Sequence, residues 1–235
     1  MSEPIRIALV AEGVTDFVFL EAVLRAMLPP ERTFDFKLLQ PEESAAFSSG
    51  GHAGAFGGGW RGVYKWCHQQ VVSFEGLRDH PLLLNYDLLM IHLDADVASE
   101  VPDPRYGIVP GLPCARPCPP ARATTDALRQ VLLAWGGETA LPPQVVLCTP
   151  SKNTEAWVMA ALFPEDKELS RQGWECHLKP EHRLAQQPKA VRIGKNLLDY
   201  RSHAAQFTLQ WPSVVQRLSE AHRFQTDLMA ELQTS

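Results

Sequence analysis

The sequence predicts an α/β fold, a mostly parallel, Rossmann-like sheet flanked by helices. Three observations carry this. Residues 5–11, 88–93 and 144–148 are short, mainly apolar runs of strand length, as expected of strands buried on both faces. Each run is followed by a segment whose apolar residues recur at helical spacing. This alternation of buried-type strands with helices argues for a largely parallel sheet covered on both faces, with acidic residues at the strand ends.

Residues 5–11 (IRIALVA) form the first strand, and Glu12-Gly13-Val14-Thr15-Asp16 breaks it. Phe17, Leu20, Val23, Leu24, Met27 and Leu28 then share a helical face, with Thr15 or Asp16 as N-cap and Pro29-Pro30 as the stop. Residues 48–62 (SSGGHAGAFGGGWRG) are glycine-rich and lack the G-K-[ST] ending of a P-loop. They read as a flexible loop or as a close backbone approach to phosphate. Residues 62–72 look helical and carry Lys65. The second strand, 88–93, ends at Asp94-Ala95-Asp96, and residues 97–120 hold seven prolines, an irregular excursion. A helix over 121–135, a strand over 144–148 and a helix over 153–162 follow. Further on, 172–187 reads as loop, and 188–201 and 212–232 as helices. The expected organisation is an α/β domain over 1–165, carrying the Gly-rich loop (48–62) and the Pro-rich insertion (97–120). Residues 166–235 form a helical C-terminal extension packed on the same domain.

Bulk composition narrows the classes. At 235 residues, 45% hydrophobic and 21% charged, the chain can bury a sizeable core. No run approaches the roughly 20 apolar residues of a membrane span. The N-terminus lacks the order of a signal peptide, so a cytoplasmic location without membrane contact is expected. A net charge of −5 weakens a nucleic-acid reading without removing it, because an acidic chain can still carry a local basic patch. Five scattered cysteines (Cys67, Cys114, Cys118, Cys148, Cys176) argue against a disulfide framework. Cys114 and Cys118 lack the second pair a structural zinc site needs, and Cys148 reads as core.

In open α/β sheets, sites form outside the carboxyl ends of the strands. Glu12 follows the first strand, Asp94 and Asp96 the second, and Glu155 lies just beyond the third. Carboxylates gathered at one edge repel each other unless a cation lies between them. Magnesium and manganese favour such hard oxygen ligands. Glu12, Asp94, Asp96 and Glu155 are therefore the candidate metal ligands. Each has a plainer reading: Glu12-Gly13 as a turn, Asp16 as a helix cap, Glu155 as an acid favoured at a helix N-terminus. Asp94 and Asp96 share an orientation only if the strand stays extended through both. Three placements at equivalent strand ends outweigh the separate plain readings.

Val10-Ala11-Glu12-Gly13-Val14-Thr15-Asp16, with the helix FVFLEAVL behind it, resembles the first motif of Toprim domains, and Leu93-Asp94-Ala95-Asp96 resembles their Asp-x-Asp motif. The segment Pro150-Ser151-Lys152-Asn153-Thr154-Glu155-Ala156-Trp157 is similar to one in stand-alone Toprim-like proteins. Those are related to nucleases of the OLD (overcoming lysogenization defect) type, found near prokaryotic defence genes. The nearest likeness is to the family called DUF4276, and it spans residues 5–165. The resemblance implies a Toprim-like sheet and magnesium- or manganese-dependent phosphoryl transfer, most simply by a nuclease on DNA or RNA acting in antiphage defence. It makes Glu12 a ligand or general acid/base, Asp94 and Asp96 ligands, and Glu155 the ligand of a second ion, with Gly13 and Asp16 completing the first motif. Two ions would stabilise the attacking and leaving oxygens. A lysine would offset charge on the scissile phosphate: Lys152 first, then Lys65 and Lys195. No ATPase motif is present, so an ATPase partner would be a separate chain. Two other functions stay open: a non-catalytic binding subunit, and a phosphatase or nucleotidyl transferase on a small substrate. The sequence leaves self-association undecided.

Overall fold

The computed structural model describes residues 3–42, 54–78, 80–101 and 111–234. Four parallel strands, β1 (Ile5–Val10), β2 (Phe34–Gln40), β3 (Leu88–His92) and β4 (Val145–Cys148), lie side by side in the order β2-β1-β3-β4. The chain starts inside the sheet, steps outward to β2, then crosses back to place β3 on the other side of β1. Strand order therefore reverses between β1 and β3, and the α/β character expected from the apolar runs is present.

Helices cover both faces: α1 (Val14–Met27), α2 (Gly59–Phe74), α3 (Arg122–Trp135), α4 (Thr154–Leu162), α5 (Lys167–Gln172), α6 (Pro180–Ala185), α7 (Leu197–Arg217) and α8 (Ser219–Thr234). Alternation along each strand splits the core in two. Ile5, Ile7 and Leu9 of β1, Leu88 and Met90 of β3, and Val146 and Cys148 of β4 face the layer built from α1, α4, α7 and α8. Ala8, Val10, Leu89, Ile91, Val145 and Leu147 face α2 and α3.

The first layer explains the C-terminal segment. Phe19 of α1 meets Phe207 of α7 edge-on at 5.1 Å, and Trp157 of α4 meets Trp211 at 5.6 Å. Burying Phe19, Phe207 and Phe224 contributes about 1.5–3 kcal/mol each, so residues from 197 onward complete the core.

Several elements differ from the sequence reading. β2 was absent from it, because FDFKLLQ alternates Phe34, Phe36 and Leu38 with Asp35 and Lys37 instead of forming an apolar run. The helix read over 188–201 begins only at Leu197, capped by Asn196, whose side chain accepts from the Asp199 N–H. It then runs through Pro212, the residue at which the sequence begins a separate helix. The missing N–H and ring clash of a mid-helix proline are offset by burial of the neighbouring Phe207, Trp211 and Val214. The loop expected over 172–187 contains α6. Residues 59–62 of the Gly-rich stretch open α2, where Gly62 packs against Gly57 and Gln40; residues 48–53 lie outside the described residues, as do 102–110 of the Pro-rich insertion. Cys118 and Cys176 form a disulfide, which corrects the expectation drawn from the odd cysteine count, while Cys67, Cys114 and Cys148 are free and buried.

Candidate functional site

β1 and β3 end at the point where strand order reverses, the location at which open α/β sheets bind ligands. Just past β1, the Glu12 carbonyl accepts from Gly59 N–H at 2.9 Å, seating the start of α2 beside it. Gly13 is the N-cap of α1 in an extended conformation, and its N–H donates to Asp16 Oδ2 at 3.0 Å. Asp16, at the third helical position, thus reaches back to the cap; neither it nor Thr15 is the cap itself.

Past β3, the Asp94 N–H donates to Glu12 Oε1 at 2.9 Å, drawing the two carboxylates together. Asp94 Oδ1 accepts from Thr154 N–H at 2.9 Å and from Thr154 Oγ1 at 3.2 Å, so the first residue of α4 fixes its orientation. His92 Nε2 lies 2.9 Å from Thr154 Oγ1 and 3.4 Å from Asp94 Oδ1, while Nδ1 stands 4.0 Å from Asp16 Oδ2. His92 is fully buried and desolvation lowers its pKa, which keeps the ring neutral near pH 7 despite the pull of Asp16. Ala95 and Asp96 donate their N–H groups to the carbonyls of Pro150 and Lys152, zipping the turn after β3 to the turn after β4. The strand is no longer extended here. Asp94 caps a 3-10 turn, Ala95–Ser99, and Asp96 sits inside it. The two acids therefore do not share the strand-alternation geometry considered from sequence, and Asp96 is the more exposed.

Glu155, 1% exposed in side chain, lies in the first turn of α4. Lys195 Nζ contacts its Oε1 at 2.8 Å and Tyr200 Oη donates to the same oxygen at 3.4 Å; Oε2 is buried without a hydrogen-bond partner. Asn153 Nδ2 donates to Glu181 Oε2 at 2.7 Å, bringing an acid of α6 to the rim.

The electrostatics follow from this crowding. Burial, then the charges of Asp16 and Asp96, push the Glu12 carboxyl up to about 8, against the opposing hydrogen bond from Asp94. Asp94 is raised well above the usual carboxylate range by burial and then by Glu12, Asp16, Glu155 and Asp96. Asp96 rises to about 6 through desolvation, then the charge of Glu181. Burial works against a charged Lys195, yet Glu155, Asp16 and Asp94 together outweigh it and hold the ammonium firmly protonated. Desolvation and then Glu155 raise the Tyr200 phenol.

Among the described residues, no group of three or more His, Cys, Asp or Glu side chains is arranged as a metal-ligand cluster. The donor chemistry nevertheless suits a hard divalent ion. The hydrogen bonds engage Oε1 of Glu12 and Oδ1 of Asp94, and among the described residues none reaches their second oxygens. A cation would offset the neighbouring negative charges that raise both carboxyls, and Glu155 keeps an orphaned buried oxygen. Magnesium commonly takes only one or two protein carboxylates and fills its remaining positions with water and substrate oxygens.

Of the residues singled out from sequence, Glu12, Gly13, Asp16, Asp94, Asp96 and Glu155 converge on this edge. Lys152 contributes its carbonyl to Asp96 N–H, and its ammonium makes no ion pair with a described residue. Lys65 is exposed on α2 and joins none of these contacts. Among the described residues the cation of the site is Lys195. Sequence alone assigns no role to His92, Thr154, Glu181 or Tyr200; a signal for the first is its position two residues before Asp94, a polar residue ending an apolar strand. A cavity of about 800 Å³ between α3, β4 and α8 includes none of these acids in its lining. Arg129 and Arg223 there are already paired with Asp227 and Asp126. Comparison of the chain with family models, curated proteins and solved structures gives no significant match.

Proposed function

We propose that the protein is a magnesium- or manganese-dependent phosphoryl-transfer enzyme, acting as a nuclease on DNA or RNA. The observation that carries this reading is the Asp94 N–H bound to the Glu12 carboxylate at the switch point, two acids whose carboxyls burial and neighbouring acids raise. Perturbed acids facing one crevice point to a functional site. A divalent ion bound by Glu12 and Asp94 would neutralise charge on the phosphate oxygens and acidify a bound water.

The protein's own groups supply the rest. As a ligand of that ion Glu12 would be a carboxylate; its carboxyl, raised to about 8 without an ion, shows how far a cation there would relieve the crowded charge. Asp96, near 6, is mostly ionised there and can accept a proton from water. Lys195 places a fixed positive charge where negative charge grows on the phosphate. Thr154 and neutral His92 hold Asp94 in place. A role in antiphage defence, with a separate ATPase chain, is supported by the motif resemblance alone.

The test uses purified protein with single- and double-stranded DNA and RNA under magnesium, manganese or chelator. Expected is metal-dependent cleavage, lost in Glu12→Ala and Asp94→Ala. If titration calorimetry detects no manganese binding and nothing is cut, the reading fails. The closed Lys195–Glu155 pair, which engages the cation of the site with a buried acid, favours a second reading, a non-catalytic binding subunit. It requires a manganese-silent protein whose partner binding survives Asp94→Ala. Turnover of phosphomonoesters but not of polynucleotides would move the assignment to a small-substrate phosphatase.

A further inference from the structure

β2 is an edge strand, and among the described residues no strand pairs with its outer side. Unpaired edges invite another strand, so the detail of the edge matters. Ile5 N–H donates to the Thr33 carbonyl at 3.0 Å, and Ile5 pairs with Phe34. In a parallel ladder this turns the N–H and C=O groups of odd positions, 33, 35 and 37, toward β1. The backbone groups of Phe34 and Phe36 then point outward. Their rings are half-buried against α1: Phe36 stacks on Phe17 at 4.9 Å, and Arg25 lies over Phe34. On the opposite face, Asp35 and Lys37 are exposed and make no ion pair with a described residue.

We infer that this edge pairs with the same edge of a second copy of the chain, antiparallel about Phe36. Faces must match across the joint, so an odd-numbered residue can oppose only an odd-numbered one. That leaves few registers. Centring on Asp35 sets two aspartates opposite each other, and centring on Lys37 sets two lysines together; like charges in that position destabilise the pair. Centring on Phe36 sets Asp35 of each copy opposite Lys37 of the other, twice by symmetry. The same register makes Phe36 with Phe36 a hydrogen-bonded pair, which uses the backbone groups that face outward. Asp35 with Lys37 becomes the non-hydrogen-bonded pair, in which side chains approach more closely. Backbone direction and face matching allow the registers about residues 35, 36 and 37, and charge selects the one about Phe36 among them.

The joint also continues the aromatic layer of Phe17, Phe34 and Phe36 across the two-fold axis and removes the open edge. The carboxyl ends of the two half-sheets point in opposite directions, so each acidic site remains open. The inference is independent of the proposed chemistry.

Sedimentation velocity and light scattering of the full chain over a range of concentrations provide the test. Expected for wild type is a species of twice the 26.2 kDa chain mass. Lys37→Asp alone and Asp35→Lys alone each place like charges opposite one another and should weaken association about tenfold or more. Asp35→Lys combined with Lys37→Asp restores opposite charges and should restore the dimer. Both positions are exposed, and circular dichroism checks that each variant is folded. A monomeric wild type, single variants that associate as wild type does, or a double variant that fails to recover would each overturn the inference.

Discussion

The Asp94 N–H donates to Glu12 Oε1 at 2.9 Å across 82 positions of sequence, so the two acids closing β3 and β1 form one unit. That bond favours the charged form of Glu12, but burial and the nearby Asp16 and Asp96 oppose it and win. The ordinary value of 4.5 becomes about 8 in the folded protein. The folded state therefore holds a proton that the unfolded chain has released, throughout the interval between the two values.

A pH dependence of stability follows. With the folded pKa raised, the stabilising contribution is complete below about 4.5 and is lost as pH rises through about 8. Asp96, raised to about 6, adds to the lower part of that interval. The urea midpoint of wild type should fall between about pH 5 and about pH 8, and Glu12→Gln should flatten the fall. Manganese added at the alkaline end should restore the wild-type midpoint but not that of the variant, because an ion that binds only the folded state stabilises it. A wild-type profile no steeper than that of the variant would contradict the assignment.

Thr154 separates fixing the site from making its chemistry. Thr154→Val keeps the side-chain shape but removes Oγ1, which donates to Asp94 and contacts His92. The loss should be about 1–3 kcal/mol of unfolding free energy, since buried His92 is left short of a partner. Asp94→Asn should cost less in stability, because burial already disfavours the charged carboxylate, while removing activity altogether. Equal stability losses in the two variants would mean that Asp94 serves the fold alone.

The two lysines should behave differently. Lys195→Met removes the ammonium 2.8 Å from Glu155 and should lower kcat by about 10²–10³. Lys152→Met should leave kcat near wild type, because Lys152 serves the turn through its carbonyl. Lys195→Arg should recover part of the loss by keeping the charge. A large loss at Lys152 with none at Lys195 would restore the order read from sequence.

The contrast between these lysines shows what local sequence conveys. Glu12, Asp94 and Glu155 could be placed at the site because each adjoins a strand, and strand ends can be read from apolar runs with a period of two or none. Lys195 lies 40 positions beyond Glu155 in a stretch without such a pattern, so only the packing of α7 against α1 and α4 brings it back. β2 was hidden for a related reason: an edge strand with charges on one face lacks the apolar run that marks an interior strand. At Pro212 the intrinsic cost of proline was legible, but the burial of Trp211 and Val214 that overrides it is tertiary.

The Cys118–Cys176 disulfide links the segment after Asp96 to the one that leads into Glu181 and Lys195, closing a loop with a sequence separation of 58. Both flanks of the site are thus held by one covalent tie. Beside it, Glu175 accepts from Ser219 Oγ at 2.6 Å and from Glu220 N–H at 2.8 Å, anchoring the start of α8. Restricting the unfolded chain in this way stabilises by about 2–4 kcal/mol. Cys176→Ser should lower the unfolding free energy by that amount when compared with oxidised wild type, and should match wild type reduced by a dithiol. Its effect on kcat should exceed that of a surface change, since Lys195 and Glu181 lose the tie on their incoming segment. If the variant unfolds at the same urea concentration as oxidised wild type, the crosslink contributes nothing to the fold, and the two flanks are held by α7 and α8 packing alone.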